Sequence, residues 1–307
     1  MKLLNRLMLP LLTLALLTSV TGCKKMPKNV ALRNRSAAKL LADGESALKQ
    51  GKWEEGRKTL RLIEENMPSS PEFANAKLLI GDSFFFNEEP SYPEAAVEYR
   101  NFLSYFPRHE LRDYALYHIA LCHYSAIENA ERDQTETRLA IAAFQDLIQQ
   151  APGSPYVFDS KAKITQCWRR LAESELMVGI FYVNSRYYGG AEKRIKVLLE
   201  TYPEYVDLER AYFYLGEAMR KKLVRSAQLE PLQKDFLART GKDDLKQLTR
   251  AEEDQLEQEI ETFKQEEVNK YRLEAREHYQ KLIESYPNSP WTKKARKMMV
   301  ELDSSKS

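Results

Sequence analysis

Residues 179–203 read GIFYVNSRYYGGAEKRIKVLLETYP. Gly179 is followed twelve residues on by Ala191, four further by Ile195, and Pro203 closes the run. Small residues at this spacing let two helices cross closely, the bulky residue fills the gap between them, and the proline stops the second helix. The same grammar recurs along the chain. Pro68, Pro107, Pro152, Pro203 and Pro287 are each preceded, twelve residues earlier, by Gly56, Ala95, Ala140, Ala191 and Ala275. Four residues after each small position comes Leu60, Tyr99, Phe144, Ile195 or Tyr279. A further small residue lies upstream in each unit: Gly44, Gly81, Ala120, Gly179 and Gly216. This is the tetratricopeptide pattern, a helix pair of about 34 residues. It predicts an all-α chain, a right-handed α-solenoid of five tetratricopeptide-like helix pairs with a long helical insertion in the fifth. The units fall at about 32–68, 71–107, 110–152, 155–203 and 205–303.

Three turns share the form Pro-x-Ser-Pro, at 68–71, 152–155 and 287–290. The first proline ends a helix. The serine is expected to cap the next one, with the second proline at its first position, where a missing N–H costs nothing. Departures from the repeat mark insertions. Two extra residues lie between Gly81 and Ala95, eight between Ala120 and Ala140, and 47 between Gly216 and Ala275. The last insertion, about 225–270, carries 12 acidic and 8 basic residues with sparse apolar positions at Leu245, Leu248, Leu256 and Ile260. It reads as a helical protrusion with a solvated face, either a partner-docking arm or a tolerated surface insertion.

Composition narrows the function. Across 307 residues, 47 Lys+Arg stand against 45 Asp+Glu, a formal charge of +2 that argues against a general nucleic-acid binder. Hydrophobic residues at 43% supply a core, so wholesale disorder is excluded. No phosphate-binding glycine loop, dinucleotide fingerprint, His-Glu-x-x-His or nucleophile elbow occurs, so the expectation is no catalytic site, no metal and no cofactor. His118 and His123 are five apart, about 140° around a helix, and do not form an i,i+4 ligand pair. Cys122 and Cys167 sit among apolar neighbours. An oxidising compartment permits a bridge, but two buried thiols are the favoured reading.

The N-terminus reads as an address. Lys2 and Arg6 precede Leu7–Val20, an uncharged run of 14 residues. A membrane span needs about 20 apolar residues, so 1–22 is a secretory signal peptide and 23–307 the tetratricopeptide-repeat domain. Val20-Thr21-Gly22-Cys23 resembles the bacterial lipobox, which makes Cys23 the lipid attachment site. By resemblance to enterobacterial lipoproteins, Lys24 in the following position favours the outer membrane.

One surface stands out for binding. Side chains around the upstream small residue of each first helix should line the concave face. In the second unit these are Asn75, Leu78, Asp82 and Phe85; in the third, Tyr114, Tyr117, Leu121 and Tyr124. Such a row could hold a peptide, or its rings could pack between helices.

With its lipobox and five units, the chain resembles the BamD family of outer-membrane β-barrel assembly lipoproteins. The likeness is carried by Arg132-Asp133, the run from Leu139 to Ile148 with Pro152-Gly153-Ser154, and Leu171-Ala172-Glu173 through Gly179 to Ala191-Glu192-Lys193-Arg194 and Tyr202-Pro203. The chain departs from the family in Glu131, where an Asp is usual, and in the large insertion. The resemblance implies a non-catalytic scaffold, lipid-anchored at the periplasmic face of the outer membrane. Its implied partners are the periplasmic domains of BamA, unfolded outer-membrane β-barrel precursors and other assembly lipoproteins, with no nucleic acid. It assigns Arg194, Arg132 and Asp133 to partner binding. The competing reading is another periplasmic tetratricopeptide adaptor lipoprotein, serving cell-wall, division or secretion assemblies.

Overall fold

The computed structural model describes residues 35–222 and 226–304. Cys23, the signal segment and Arg225 lie outside the described residues. The described residues form twelve α-helices and one short 3-10 turn, with no strand among them. They are α1 (Ala37–Lys49), α2 (Trp53–Asn66), α3 (Phe73–Phe85), α4 (Tyr92–Tyr105), α5 (Arg112–Ser125) and α6 (Thr135–Gln150). There follow α7 (Val157–Asn184), α8 (Tyr188–Thr201), α9 (Leu208–Lys221), α10 (Ser226–Thr240), α11 (Arg250–Ser285) and α12 (Pro290–Ser304). Two compact units divide the chain after Ala76, within α3.

In the first unit, α1 and α2 form a hairpin around two glycines. A methyl group added to Gly44 would stand 2.6 Å from the Leu60 side chain, and one added to Gly56 2.6 Å from Leu48. Leu40, Leu60 and Ile63 are fully buried there. Ser36 caps α1 by accepting the Lys39 amide at 3.3 Å.

The second unit continues the alternation of first and second helices. Ala95, Ala140, Ala191 and Ala275 have no exposed surface, nor do Tyr99, Phe144, Ile195 and Tyr279. Each bulky side chain lies against the small residue on the first helix of its pair. The Tyr99 ring meets Gly81, Ile195 meets Gly179 and Tyr279 meets Gly216. Burying a side chain of this size stabilises the fold by roughly 1.5–3 kcal/mol.

The five helices that end before a proline stop in one way. Met67, Phe106, Ala151, Tyr202 and Tyr286 have φ between −128° and −138° and ψ between 44° and 65°. Each still donates its N–H to the carbonyl four residues back, at 2.8–2.9 Å. The ring of the following proline disfavours the α conformation at these residues, so the ladder makes one last bond and quits.

The serine turns depart from expectation. Only the third has its proline at the first helical position: α12 begins at Pro290, and Ser289 Oγ accepts the Trp291 amide at 3.1 Å. In the other two the helix starts later, at Phe73 and Val157. There the carbonyls of Ser70 and Ser154 accept from those residues' amides at 3.2 Å, closing one tight turn before the helix begins.

Helix α7 is 28 residues long and serves two pairs. Cys167 and Leu171 join Ala120, Ala140, Ile141 and Phe144 in the core of the third pair. Ala172 and Leu176 join Ile195, Leu198, Ala211 and Leu215 one level on. Both Cys122 and Cys167 are buried free thiols. Burial pushes them up to about 12 and about 11 respectively.

The inserted segment forms α10, a 3-10 turn at Leu245–Gln247 and the N-terminal part of α11. Helix α11 has 36 residues and is about 54 Å long. A capping box starts it, with Thr249 and Glu252 bonding each other's backbone amides. Its last part supplies Tyr271, Ala275, Tyr279 and Leu282 to a core shared with α9 and α12. The insertion therefore lengthens the second helix of the fifth pair. Its buried apolar residues are Phe236 and Leu256, while Leu245 is exposed. Arg239 ties the two helices, bonding Glu259 at 2.7 Å and Asp235 at 2.9 Å.

Candidate functional site

The row of first-helix side chains is built from α3, α5, α7, α9 and the start of α12. In it, successive helices are laced by polar pairs. Asp82 on α3 accepts the Tyr114 hydroxyl of α5 at 2.8 Å. Tyr117 on α5 donates to Asp159 of α7 at 2.5 Å, and its ring stacks on Tyr156 with centroids 4.5 Å apart. Tyr124 donates to Gln166. Arg210 on α9 donates to Glu173 of α7 at 2.8 Å, and Ser289 donates to Glu209 at 2.5 Å.

This lacing decides what each expected groove residue does. Asn75, which precedes the division of the chain, is exposed. Leu78 is buried in the core. Phe85 packs edge-on against Phe86, Tyr92 and His118. Leu121 is half-buried against the third-pair core. Tyr114, Tyr117 and Tyr124 present their rings half-buried, but each hydroxyl is already bonded to the neighbouring helix. An open volume of about 370 Å³ remains beside Tyr124, Ile127, Gln166 and Arg170. Asp159, Gln166, Glu173 and Arg210 belong to the same row and were not among the expected residues. The signal that could have found them is the repeat register itself, carried one helix further.

Asp82 is the most constrained member. Burial pushes its carboxyl above the ordinary aspartate value, against the opposing pull of the Tyr99 and Tyr114 hydroxyls and of His118. The His118 ring stacks on Tyr114 at 3.9 Å, and burial lowers its pKa.

The residues assigned to partners by resemblance occupy two other places. Arg194 is exposed on α8 and pairs with Glu175 of α7 at 2.5 Å. Arg132 and Asp133 are exposed in the connection before α6. Gln134, buried beside them, donates to the carbonyls of Asn129 and Arg132 at 2.9 and 3.0 Å and accepts from Thr137 at 2.8 Å. Asp133 is held below the usual carboxylate range by hydrogen bonds from Thr135, whose amide it accepts at 2.8 Å. The connection thus has a fixed shape that displays the Arg132 side chain. Among the described residues, no group of three or more His, Cys, Asp or Glu is placed to hold a metal ion.

Fold and row together define a tetratricopeptide-repeat protein, and a tetratricopeptide-repeat family model matches residues 269–289. A second family model, described as YfiO, outer membrane lipoprotein, matches residues 33–230, and the chain belongs to that family. It is similar to outer membrane protein assembly factor BamD of Caulobacter vibrioides, 29% identical over 202 residues. That match covers 65% of this chain and 66% of the relative, just under two thirds of its length. BamD of Haemophilus influenzae is 26% identical, covering 68% of this chain and 82% of that one. For BamD of Vibrio cholerae the values are 27%, 71% and 87%. Among solved structures, the chain is similar to a tetratricopeptide repeat protein from Parabacteroides merdae. That likeness has a TM-score of 0.32 at 13% identity and covers 86% of this chain and 98% of the other.

Proposed function

We propose that this chain is a non-catalytic scaffold for outer-membrane protein assembly, anchored by lipid at Cys23 to the periplasmic face of the outer membrane. The observation that carries this is the family match over residues 33–230 together with relatives that are outer membrane protein assembly factors. The helix-A row supplies a physical means. Its half-buried tyrosine rings and the open volume beside Tyr124 offer an aromatic, polar-edged surface to an unfolded β-barrel precursor. Unfolded barrel strands expose backbone and apolar side chains, and a surface that holds them reversibly keeps them from pairing with one another. Arg194 serves as the contact to BamA, with Arg132 and Asp133 as a second partner surface.

The test is depletion in the bacterium that encodes the chain, combined with affinity purification of the lipidated protein. Depletion should lower the outer-membrane content of β-barrel proteins, and purification should recover BamA. Arg194→Glu should reduce that recovery, and Cys23→Ala should release the protein from membranes. Unchanged barrel levels on depletion, with no BamA recovered, would overturn the assignment.

A further inference from the structure

Helix α12 has the register of a first helix. Val300 follows Pro287 by thirteen residues, as Gly81 follows Pro68, Ala120 follows Pro107 and Gly216 follows Pro203. Gly81 and Gly216 lie against Tyr99 and Tyr279 of their second helices. Among the described residues no helix follows α12, and Val300 is 69% exposed.

The side chains around that position differ from those of the other pairs. Four and three residues before the small residue stand Lys77 and Leu78 in α3, Leu116 and Tyr117 in α5, and Tyr212 and Phe213 in α9. In α12 they are Arg296 and Lys297, with Lys293 one turn earlier. At about 100° per residue, Lys293, Arg296, Lys297 and Val300 share one face, and all four are exposed. Among the described residues none of these three cations has an ion-pair partner. The two carboxylates of α12 are engaged elsewhere: Glu301 pairs with Arg220 at 3.8 Å, and Asp303 with Arg276.

Lys77 shows what a cation in this register takes. It stands four residues before Gly81, as Arg296 stands four before Val300. Lys77 is buried, and its ammonium pairs at 3.7 Å with buried Glu98 of the second helix, α4. A helix seated on α12 must likewise bring carboxylates, because cations covered without them lose their hydration uncompensated.

One helix of this chain has that chemistry. Between residues 253 and 261, α11 carries five carboxylates and no basic residue, bracketed by Arg250 and Lys264. Glu253, Asp254, Glu257 and Glu261 share a face and are exposed. Of these four, only Glu261 has a cation beside it among the described residues, Lys264 at 3.9 Å. The stretch cannot reach its own α12. That helix runs back along α11 from Tyr286, whose carbonyl accepts from Thr292, to Arg276, which Asp303 meets. About 22 Å of helix separates Arg276 from Glu261.

We propose that α12 docks the acidic stretch of α11 from a second copy of this chain, its carboxylates facing Lys293, Arg296 and Lys297. Each copy carries both faces, so a two-fold pairing makes the contact twice. The inserted arm then supplies, from the other copy, the second helix that α12 lacks among the described residues. The proposal does not depend on the assembly role argued above.

Sedimentation velocity of the detergent-solubilised full chain, over a range of protein concentrations, is the test. Wild type should dimerise at low salt, with a dissociation constant that rises about tenfold as salt is raised. Lys293→Glu with Lys297→Glu should leave a monomer, as should Glu257→Lys with Glu261→Lys. All four positions are exposed, and unchanged thermal unfolding checks that both variants fold. Mixed in equal amounts, the two variants should form a heterodimer, since opposite charges then meet at both contacts. A monomeric wild type, a dimer indifferent to both pairs of substitutions, or no heterodimer on mixing would overturn the proposal. So would a monomeric wild type that binds phosphatidylglycerol vesicles through Lys293 and Lys297, which would give the face to a membrane. These variants leave Cys23 and Arg194 intact, so failure here and failure of the assembly role are separate results.

Discussion

The Tyr279 hydroxyl donates to a carboxylate oxygen of Glu217 at 2.6 Å, across the glycine at 216 that makes room for its ring. The second pair repeats the arrangement: Tyr99 donates to Asp82 at 2.6 Å, next to Gly81. The carboxylates nevertheless behave oppositely. Burial opposes ionisation of Glu217, but Arg220, Lys221 and Tyr279 outweigh it and hold the carboxyl down to about 2. Asp82 has hydroxyls and no cation bonded to it, so burial prevails and its pKa rises.

The opposite shifts make the two substitutions unequal. Asp82→Asn keeps an acceptor for both tyrosines and should change stability by less than about 1 kcal/mol at neutral pH. Glu217→Gln removes the charge that Arg220 and Lys221 bind, and should cost on the order of 3 kcal/mol. Urea denaturation of the two variants, compared at equal m-values, measures the contrast.

The pH profile follows from the same pair. Ionised Glu217 stabilises the fold above the ordinary carboxylate value near 4.5, and this contribution is lost as pH falls through about 2. For Asp82 the raised value means that ionisation opposes folding, so its effect declines stability as pH rises through that value. The melting temperature of the wild type should therefore fall steeply with acid from about pH 4.5 downward. Glu217→Gln should flatten that slope; an unchanged slope would contradict the charge assignment.

Glycine at the helix crossing has a testable cost. A methyl group at 216 would lie 2.5 Å from the Tyr279 ring, whereas one at Gly153 would meet nothing within 4 Å. Gly216→Ala should destabilise by about 1–3 kcal/mol through overpacking, and Gly153→Ala should be close to neutral. Calorimetric melting temperatures of the two decide it.

Cys122 and Cys167 should resist alkylation by iodoacetamide at pH 8 in the folded protein, since both thiols are buried and titrate far above that pH. Both should react in denaturant. Mass spectrometry of the modified peptides reads the difference.

The small and bulky positions, the prolines and the helical insertion were legible because each depends on local spacing. A helix turns at a fixed rate, so residues twelve and four apart occupy set places on its surface whatever the rest of the chain does. The serine turns were less legible. Ser70, Ser154 and Ser289 share a motif, yet only Ser289 caps the helix its proline begins. The continuity of α7 through two cores was likewise hidden, because periodicity does not say which neighbour a face will meet.

The sequence by itself determined an all-helical repeat: its pair boundaries follow from proline geometry and its crossings from residue size, both short-range effects. Tertiary structure alone decided which side chains remain available for binding. Tyr117 finds Asp159 across 42 residues and Glu217 finds Tyr279 across 62. Hydrogen bonds and burial at such separations are set by how helices stack, which no local pattern encodes.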